Sequence, residues 1–169
     1  MAILSEILDR RSIKRFKPTP VNKEKLERVL EAGRLAPSAK NRQEWRFVVI
    51  QKKALREKVT EAAFGDEKVG QAPVVIAFCT TNIEYKMPNG QLAYPIDLAF
   101  AAAFMVLQAG KEGLGTCCTT TFDEQKVKDL ITVPYSMKVV LLLLVGHPAE
   151  MPEASPRKPF KSIVSFDHW

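Results

Sequence analysis

Hydrophobic positions fall into two rhythms along this chain, one of helices and one of strands. Ile3, Leu4, Ile7 and Leu8 recur at helical spacing, which predicts a short amphipathic helix over residues 2–9. Pro18 and Pro20 interrupt the next stretch of chain. Asn22 then stands as a plausible N-cap, with Glu24 in the first turn, where the helix dipole favours a carboxylate. Leu26, Val29, Leu30 and Gly33 mark one face of a helix from 23 to about 35. Pro37 ends it, because the residue before a proline is pushed out of the helical region.

Trp45 to Ile50 is aromatic and β-branched, hence a strand, and Lys52 to Ala63 is helical by composition. Pro73 opens a second strand over 74–79, and Thr81 to Gln91 is a loop with a Pro88-Asn89-Gly90 turn. Pro95 suits the first turn of a long helix running to about Lys111. That helix is apolar on nearly every side, with Leu98, Phe100, Phe104, Met105, Val106 and Leu107 among alanines. A helix apolar all round must be buried on more than one face, and in so small a protein a partner subunit is a natural cover. Gly113-Leu114-Gly115 stops it, Thr116 to Thr121 is β-rich, and Asp123 can cap a helix ending near Ile131. Met137 to Val145 is a further core strand, and its apolar run from Val139 is far below the ~20 residues of a membrane helix. From Gly146 onward, Pro148, Pro152, Pro156 and Pro159 rule out one regular element. The order predicts one mixed domain over residues 1–169, a central sheet flanked by helices.

Composition changes this picture little: 46% hydrophobic and 26% charged residues are ordinary for a globular chain. The start, Met1-Ala2-Ile3-Leu4-Ser5-Glu6, lacks a charged region followed by a long apolar stretch, so no leader is expected. Three cysteines, two of them adjacent, suggest no disulfide framework. Cys79, Cys117 and Cys118 all lie in strand-like stretches and read as buried small hydrophobes. His147 and His168 have no ligand-like spacing, which makes a zinc site improbable. With neither leader nor disulfides, a cytoplasmic protein is expected.

Charge changes it more. The net charge is +6, and Arg10, Arg11, Lys14, Arg15 and Lys17 fall within eight positions. Arginine can hold a phosphate bidentately, and Ser12 adds a hydroxyl. If the segment is extended, Lys14 points to the same side as Ser12. The plainer alternative is that Arg10 and Arg11 complement the negative end of the first helix. A second polar segment, Ala36-Pro37-Ser38-Ala39-Lys40-Asn41-Arg42-Gln43, is either ordinary loop chemistry or a binding loop. Neither segment decides the matter alone.

Their combination does. Arg10-Arg11-Ser12-x-Lys14-x-Phe16, followed by Ala36-Pro37-Ser38-Ala39-x-Asn41-x-Gln43-x-Trp45, resembles the nitroreductase family of FMN-dependent oxidoreductases. Asp97 to Gly115 is similar to its alanine-rich central helix ending in Gly-Leu-Gly. Val139 to Pro148 resembles its last core strand, and Ser155-Pro156-Arg157-Lys158-Pro159 its C-terminal basic motif. The resemblance covers essentially the whole chain. It implies an α+β fold, a three-layer α/β/α sandwich with a mostly antiparallel central sheet and a C-terminal tail reaching the partner subunit. It implies a homodimer with FMN at the subunit interface. Residues matching Arg10, Arg11, Ser12 and Lys14 bind the flavin of their own subunit, the basic ones at the phosphate and Lys14 near the pyrimidine edge. Residues matching Pro37, Ser38 and Asn41 touch the flavin of the other subunit. Those matching Thr119 and Thr120 run near the ring N5, Arg157 and Lys158 return to the phosphate, and Lys68 matches a lysine near the ring.

Two departures stand out. Where the family often has Trp and then Ile-Gly after Gly-Leu-Gly-Thr-Cys, this chain has Cys118, Thr119 and Thr120. Thr81 to Tyr94 is short where larger members insert helices that shape the substrate pocket. The implied activity is ping-pong hydride transfer from NADH or NADPH, through FMN, to a nitroaromatic, quinone or similar small acceptor. No catalytic side chain is assigned, because the cofactor carries the chemistry. No Gly-x-Gly-x-x-Gly fingerprint is present to choose between the two nicotinamides. Alternatives are a specialised flavin-fragmenting or dehalogenating relative and a basic nucleic-acid-binding module. Against the last, Trp45, Phe47 and Phe78 lie in apolar strands rather than among the cations. Neither nucleic acid nor a membrane is an expected partner.

Overall fold

Capping chemistry sets where the helices begin in the computed structural model, which describes residues 3–169. The predicted first helix is α1, Ser5–Asp9, with Ala2 outside the described residues. Helix α2 spans Lys23–Arg34, and the Asn22 Oδ1 accepts from the Lys25 N–H at 3.1 Å, the predicted cap. Strand β1 is Trp45–Ile50, α3 is Lys53–Ala62, α4 is Glu67–Gln71 and β2 is Val74–Thr80. The long helix α5 is Ala93–Lys111, followed by β3 (Gly115–Thr119), α6 (Glu124–Ile131) and β4 (Lys138–Gly146). Asp123 caps α6 as predicted, its Oδ1 accepting from the Lys126 N–H at 3.1 Å.

The four strands form one antiparallel sheet in the order β1-β2-β4-β3. Composition explains the order. All seven residues of β2 are buried and β4 is the Leu/Val run, so these two take the centre. Alternate side chains then build a core on each face. Val74, Ile76, Phe78, Leu143 and Val145 pack with Leu26 and Val29 of α2 and Leu98 and Met105 of α5. Val75, Ala77, Cys79, Leu142 and Leu144 pack with Val59 of α3, Val69 of α4 and Val127 of α6. Helices therefore cover both faces, and the expected α+β architecture with an antiparallel sheet holds.

Helices α2 and α5 lie close because Gly33 leaves room: a Cβ there would run into the Met105 side chain. Their ends are locked by Glu112, which accepts from Arg28 Nε at 2.7 Å and Nη2 at 2.8 Å. Lys25 Nζ adds a bond to the Glu112 carbonyl at 2.6 Å.

The structure departs from the sequence reading in four ways. Helix α4 arises where the sequence reading assigns no element, and a 3₁₀ turn at Ala39–Asn41 arises within a predicted loop, both too short for a periodic signal. Only Cys79 is buried; Cys117 is half-buried and Cys118 exposed, because β3 is an edge strand whose outer positions lack cover. Burial pushes the Cys79 thiol up to about 11. Within one chain α5 is buried on one side only, through Leu98, Ala101, Ala102, Met105 and Ala109. Phe100 and Phe104 stay exposed, as do Ile7 and Leu8 of the neighbouring α1 and Leu4 just before it. Among the described residues α5 is the one helix long and apolar enough to cross a bilayer, and here its inner face forms part of the core against α2 and the sheet. Beyond Pro148 the chain has no regular element except a 3₁₀ turn at Phe160–Ser162, and Phe160, Ile163 and Phe166 project from it exposed.

Candidate functional site

The cationic segment is fixed to the free edge of the sheet. Ser12 forms a parallel bridge with Thr116 of β3, and the Ile13 N–H donates to the Thr116 carbonyl at 2.8 Å. Ile13 is buried, so its neighbours Ser12 and Lys14 turn the other way, as an extended segment requires. Gly115 makes this approach possible: a Cβ there would strike Ile13 Cγ1 and stand 2.9 Å from Pro148 Cγ. Phe16, also buried, bridges to Pro148, and the Lys17 N–H donates to the His147 carbonyl at 2.8 Å. The Ala149 N–H returns a bond to the Arg15 carbonyl at 2.9 Å, which carries the start of the tail past the same segment.

Arg10, Arg11, Ser12 and Lys14 line one cavity of about 530 Å³, with Ile7 and Leu8 of α1 on one side and the tail from Pro152 to Ser155, and Arg157, on the other. Arg11 Nη1 donates to the Leu8 and Arg10 carbonyls at 2.9 and 3.0 Å, and Arg157 Nη1 to the Ser155 and Pro156 carbonyls at 3.1 and 3.3 Å. Arg11 does meet the end of α1, in line with the plainer sequence reading, and lines the cavity as well. Arg10 Nη1 lies 3.5 Å from the Ser12 hydroxyl oxygen. Glu153 is the carboxylate in the lining, yet among the described residues none of Arg10, Arg11, Lys14 or Arg157 forms an ion pair. Four cations therefore converge without internal neutralisation. Lys158 is exposed and outside this lining.

Strand β3 extends the site. Thr119 closes the strand and Thr120 comes directly after it, on the same edge along which the Ser12 segment runs parallel. The Thr119 hydroxyl accepts from the Thr121 N–H at 3.2 Å. Burial pushes the Cys117 thiol up, while Lys68 and Lys14 act to lower it and Asp66 to raise it. Lys68 stands on α4, paired to Asp66 at 3.0 Å, and is outside the lining of the cationic cavity.

Pro37, Ser38 and Asn41 lie elsewhere. Their loop is exposed and tightly bonded within itself: the Ser38 hydroxyl accepts from the Gln43 N–H at 2.9 Å, and Gln43 Nε2 donates to the carbonyl and side chain of Asn41, both at 3.1 Å. Lys40 and Arg42 sit over the Tyr85 ring, Arg42 at 4.1 Å from its centroid. The loop is tied to α5 through Asp97, whose Oδ1 accepts from the Ala39 N–H at 2.9 Å. The cationic segment shares a second cavity, of about 390 Å³, with Gly110 and Lys111 at the other end of α5. Asp97 and Gly110 are thirteen positions apart along the helix, or about 20 Å at 1.5 Å per residue. Within one chain the structure brings together Arg10, Arg11, Ser12, Lys14 and Arg157, and holds Pro37, Ser38 and Asn41 apart from them.

Sequence reasoning misses Gly115 as more than a helix stop. It also misses Asp97, although a lone carboxylate in an apolar helix is a signal in itself. The tail residues Pro152 to Ala154 escape it as well, because their place in the lining depends on the Arg15–Ala149 pairing and carries no motif.

Comparison with known proteins places this geometry in context. A profile of the nitroreductase family matches residues 7–69 and 63–147. The chain is 30% identical over 188 aligned positions to an NADH dehydrogenase of Thermus thermophilus, covering 93% of this chain and 92% of that protein. It is 27% identical to an FMN reductase (NAD(P)H) of Bacillus subtilis, covering 95% and 72%. A crystal structure of a nitroreductase family protein from Clostridium difficile 630 matches with a TM-score of 0.88 and 29% identity over 100% of both chains.

Proposed function

The chain belongs to the nitroreductase family of NAD(P)H oxidoreductases, with the corresponding α+β fold, and on that premise we propose that it is FMN-dependent. The proposed reaction takes a hydride from NADH or NADPH and delivers it to a nitroaromatic, a quinone or a similar small acceptor. One observation carries the cofactor assignment: Arg10, Arg11, Lys14 and Arg157 meet Ser12 in one cavity, with no ion pair on any of the four cations among the described residues. A phosphate monoester carries about 1.5 to 2 negative charges near neutral pH, and several cations with a hydroxyl fit that demand. The residues present therefore fit the phosphate end of FMN.

Bound FMN would supply the two-electron chemistry, which requires no protein acid or base. Arg10, Arg11 and Arg157 hold the phosphate, and Ser12 adds a hydrogen bond. Lys158, outside the lining, adds only longer-range attraction. Lys14 lies farther along the β3 edge and serves the pyrimidine edge, where a cation favours electron uptake; Lys68 adds positive charge near Cys117 of the same strand. Thr119 and Thr120 border the ring on that same edge. Pro37, Ser38 and Asn41 of each chain serve the flavin held by the other, a reading supported by their separation of about 20 Å along α5 from the cationic segment. The homodimer this requires is supported by exposed Leu4, Ile7, Leu8, Phe100 and Phe104 on adjoining helices, and the tail, with Phe160, Ile163 and Phe166 exposed, extends to the partner.

The visible spectrum tests the reading. The purified protein is expected to be yellow, or to become so with added FMN, and to bleach anaerobically with NADH or NADPH. Stopped-flow reduction then ranks the two donors. A colourless protein that takes up no FMN overturns the assignment.

A further inference from the structure

Asp97 is a carboxylate where the fold has little use for one. It is only 6% exposed, on the inner face of α5 beside Leu98 and one turn before Ala101. No cation pairs with it among the described residues. Burial raises its pKa, the bond from Ala39 opposes that rise, and the nearby Glu44 adds to it. An unpaired buried carboxylate is costly to keep, and a leucine would fill such a site at less cost. Among the described residues its side chain has one hydrogen-bond partner, the Ala39 N–H, 58 positions away in sequence.

That partner stands in a loop that needs holding. Lys40, Asn41 and Gln43 have φ of 52°, 53° and 53°, the left-handed region that side-chain-bearing residues seldom occupy. Three such residues in four persist only when surrounding contacts over-determine them. The other hydrogen bonds of residues 38–41 stay inside the loop: Gln43 donates to Ser38 and Asn41, the Asn41 N–H to the Ser38 carbonyl and the Arg42 N–H to the Ala39 carbonyl. The Asp97–Ala39 bond is the one that reaches out of it, and it does so between Ser38 and Asn41. A charged acceptor makes the stronger hydrogen bond to a backbone donor.

We propose that Asp97 is a positioning residue: its carboxylate pins the backbone at Ala39 to the first turns of α5 and so sets where Pro37, Ser38 and Asn41 meet the flavin of the partner subunit. The inference rests on the shared-site reading of the proposed function. It adds a residue of the hydrophobic core to the determinants of cofactor affinity, although that residue never touches the cofactor.

Complementation between variants tests it. Asp97→Ala removes the acceptor, and FMN affinity, read by quenching of flavin fluorescence, is expected to fall about tenfold or more. Asp97→Asn keeps an acceptor oxygen and is expected to stay within about threefold of the parent. Ala39→Pro deletes the donor instead and leaves the core intact, since a proline suits the first position of a helical turn after an extended residue such as Ser38, with φ −139° and ψ 157°. It carries the same test if Asp97→Ala fails to fold.

Subunits are then mixed. Asp97→Ala with Arg10→Ala should regain flavin, because one of the two sites combines a native cationic segment with a native loop. Asp97→Ala with Asn41→Ala should regain none, because both loops are altered. Recovery with Asn41→Ala instead, recovery with neither, or unchanged affinity in both Asp97→Ala and Ala39→Pro overturns the role of Asp97. A parent protein that binds no FMN, or an Arg10→Ala and Asn41→Ala mixture that gains none over either alone, overturns the shared site itself and this inference with it.

Discussion

At the scale of single residues, the site depends on unneutralised charge and on one close approach. A hydrogen bond to a charged group contributes about 1.5–3 kcal/mol, so Arg10→Ala is expected to weaken FMN binding roughly 10- to 100-fold, measured by fluorescence titration. The loss should shrink as salt rises, because screening weakens the very attraction that Arg10 supplies in the parent protein. Gly115→Val tests the approach. Its side chain must displace Ile13 or Pro148, which overpacks the edge of the sheet and should cost about 1–3 kcal/mol in urea denaturation. Flavin affinity should fall with it, since Ile13 lies between Ser12 and Lys14. These two residues show what is legible in a sequence at this scale. The arginines announce themselves by clustering. Gly115 reads only as punctuation, because its reason for being glycine is a side chain 102 positions away, the difference between 115 and 13. Cys118 misleads in the opposite sense: its apolar neighbours point to burial, and only the place of β3 at the sheet edge exposes it.

Elements are legible where local chemistry and tertiary packing agree. Asn22 and Asp123 cap the helices the sequence assigns to them, and the fully apolar β2 takes the sheet centre its composition demands. Helix α4 is not legible: five residues give no period, and only Val69 is buried to hold it. The junction of α2 with α5 is not legible either, although it has a measurable signature. The Glu112 carboxyl is held down to about 2, chiefly by its hydrogen bond from Arg28. A depressed carboxylate stabilises the fold above its ordinary value of 4.5, and that contribution is lost as pH falls from there toward about 2. Denaturation midpoints are therefore expected to drop through this window. Glu112→Gln should lower stability at neutral pH and show a smaller further loss on acidification. An acid limb of equal steepness in both proteins would contradict the assignment.

Over the whole molecule, the proposed homodimer would make the apolar exterior of α5 and α1 and the division of the candidate site two views of one arrangement. Phe104→Glu puts a charge into the exposed apolar face without touching the cationic segment or the loop at Ala39. It is expected to yield monomers in sedimentation and to lose flavin at the same time; monomers that retain full FMN affinity would refute the shared site. The sequence suggests the proposed partner subunit through a helix apolar all round, but not the geometry, since which end of α5 meets which polar segment depends on the folded chain. That geometry also bears on how the gene can change. With the Ala39 loop anchored at one end of α5 and the Arg10 segment at the other, one inserted residue would turn everything beyond it by about 100° and shift it by 1.5 Å. Both sites of a dimer would lose their phase together, so no intermediate variant would keep one working flavin. Insertions and deletions should therefore be tolerated in the connection from Thr81 to Leu92 and be absent from the stretch between Asp97 and Gly110.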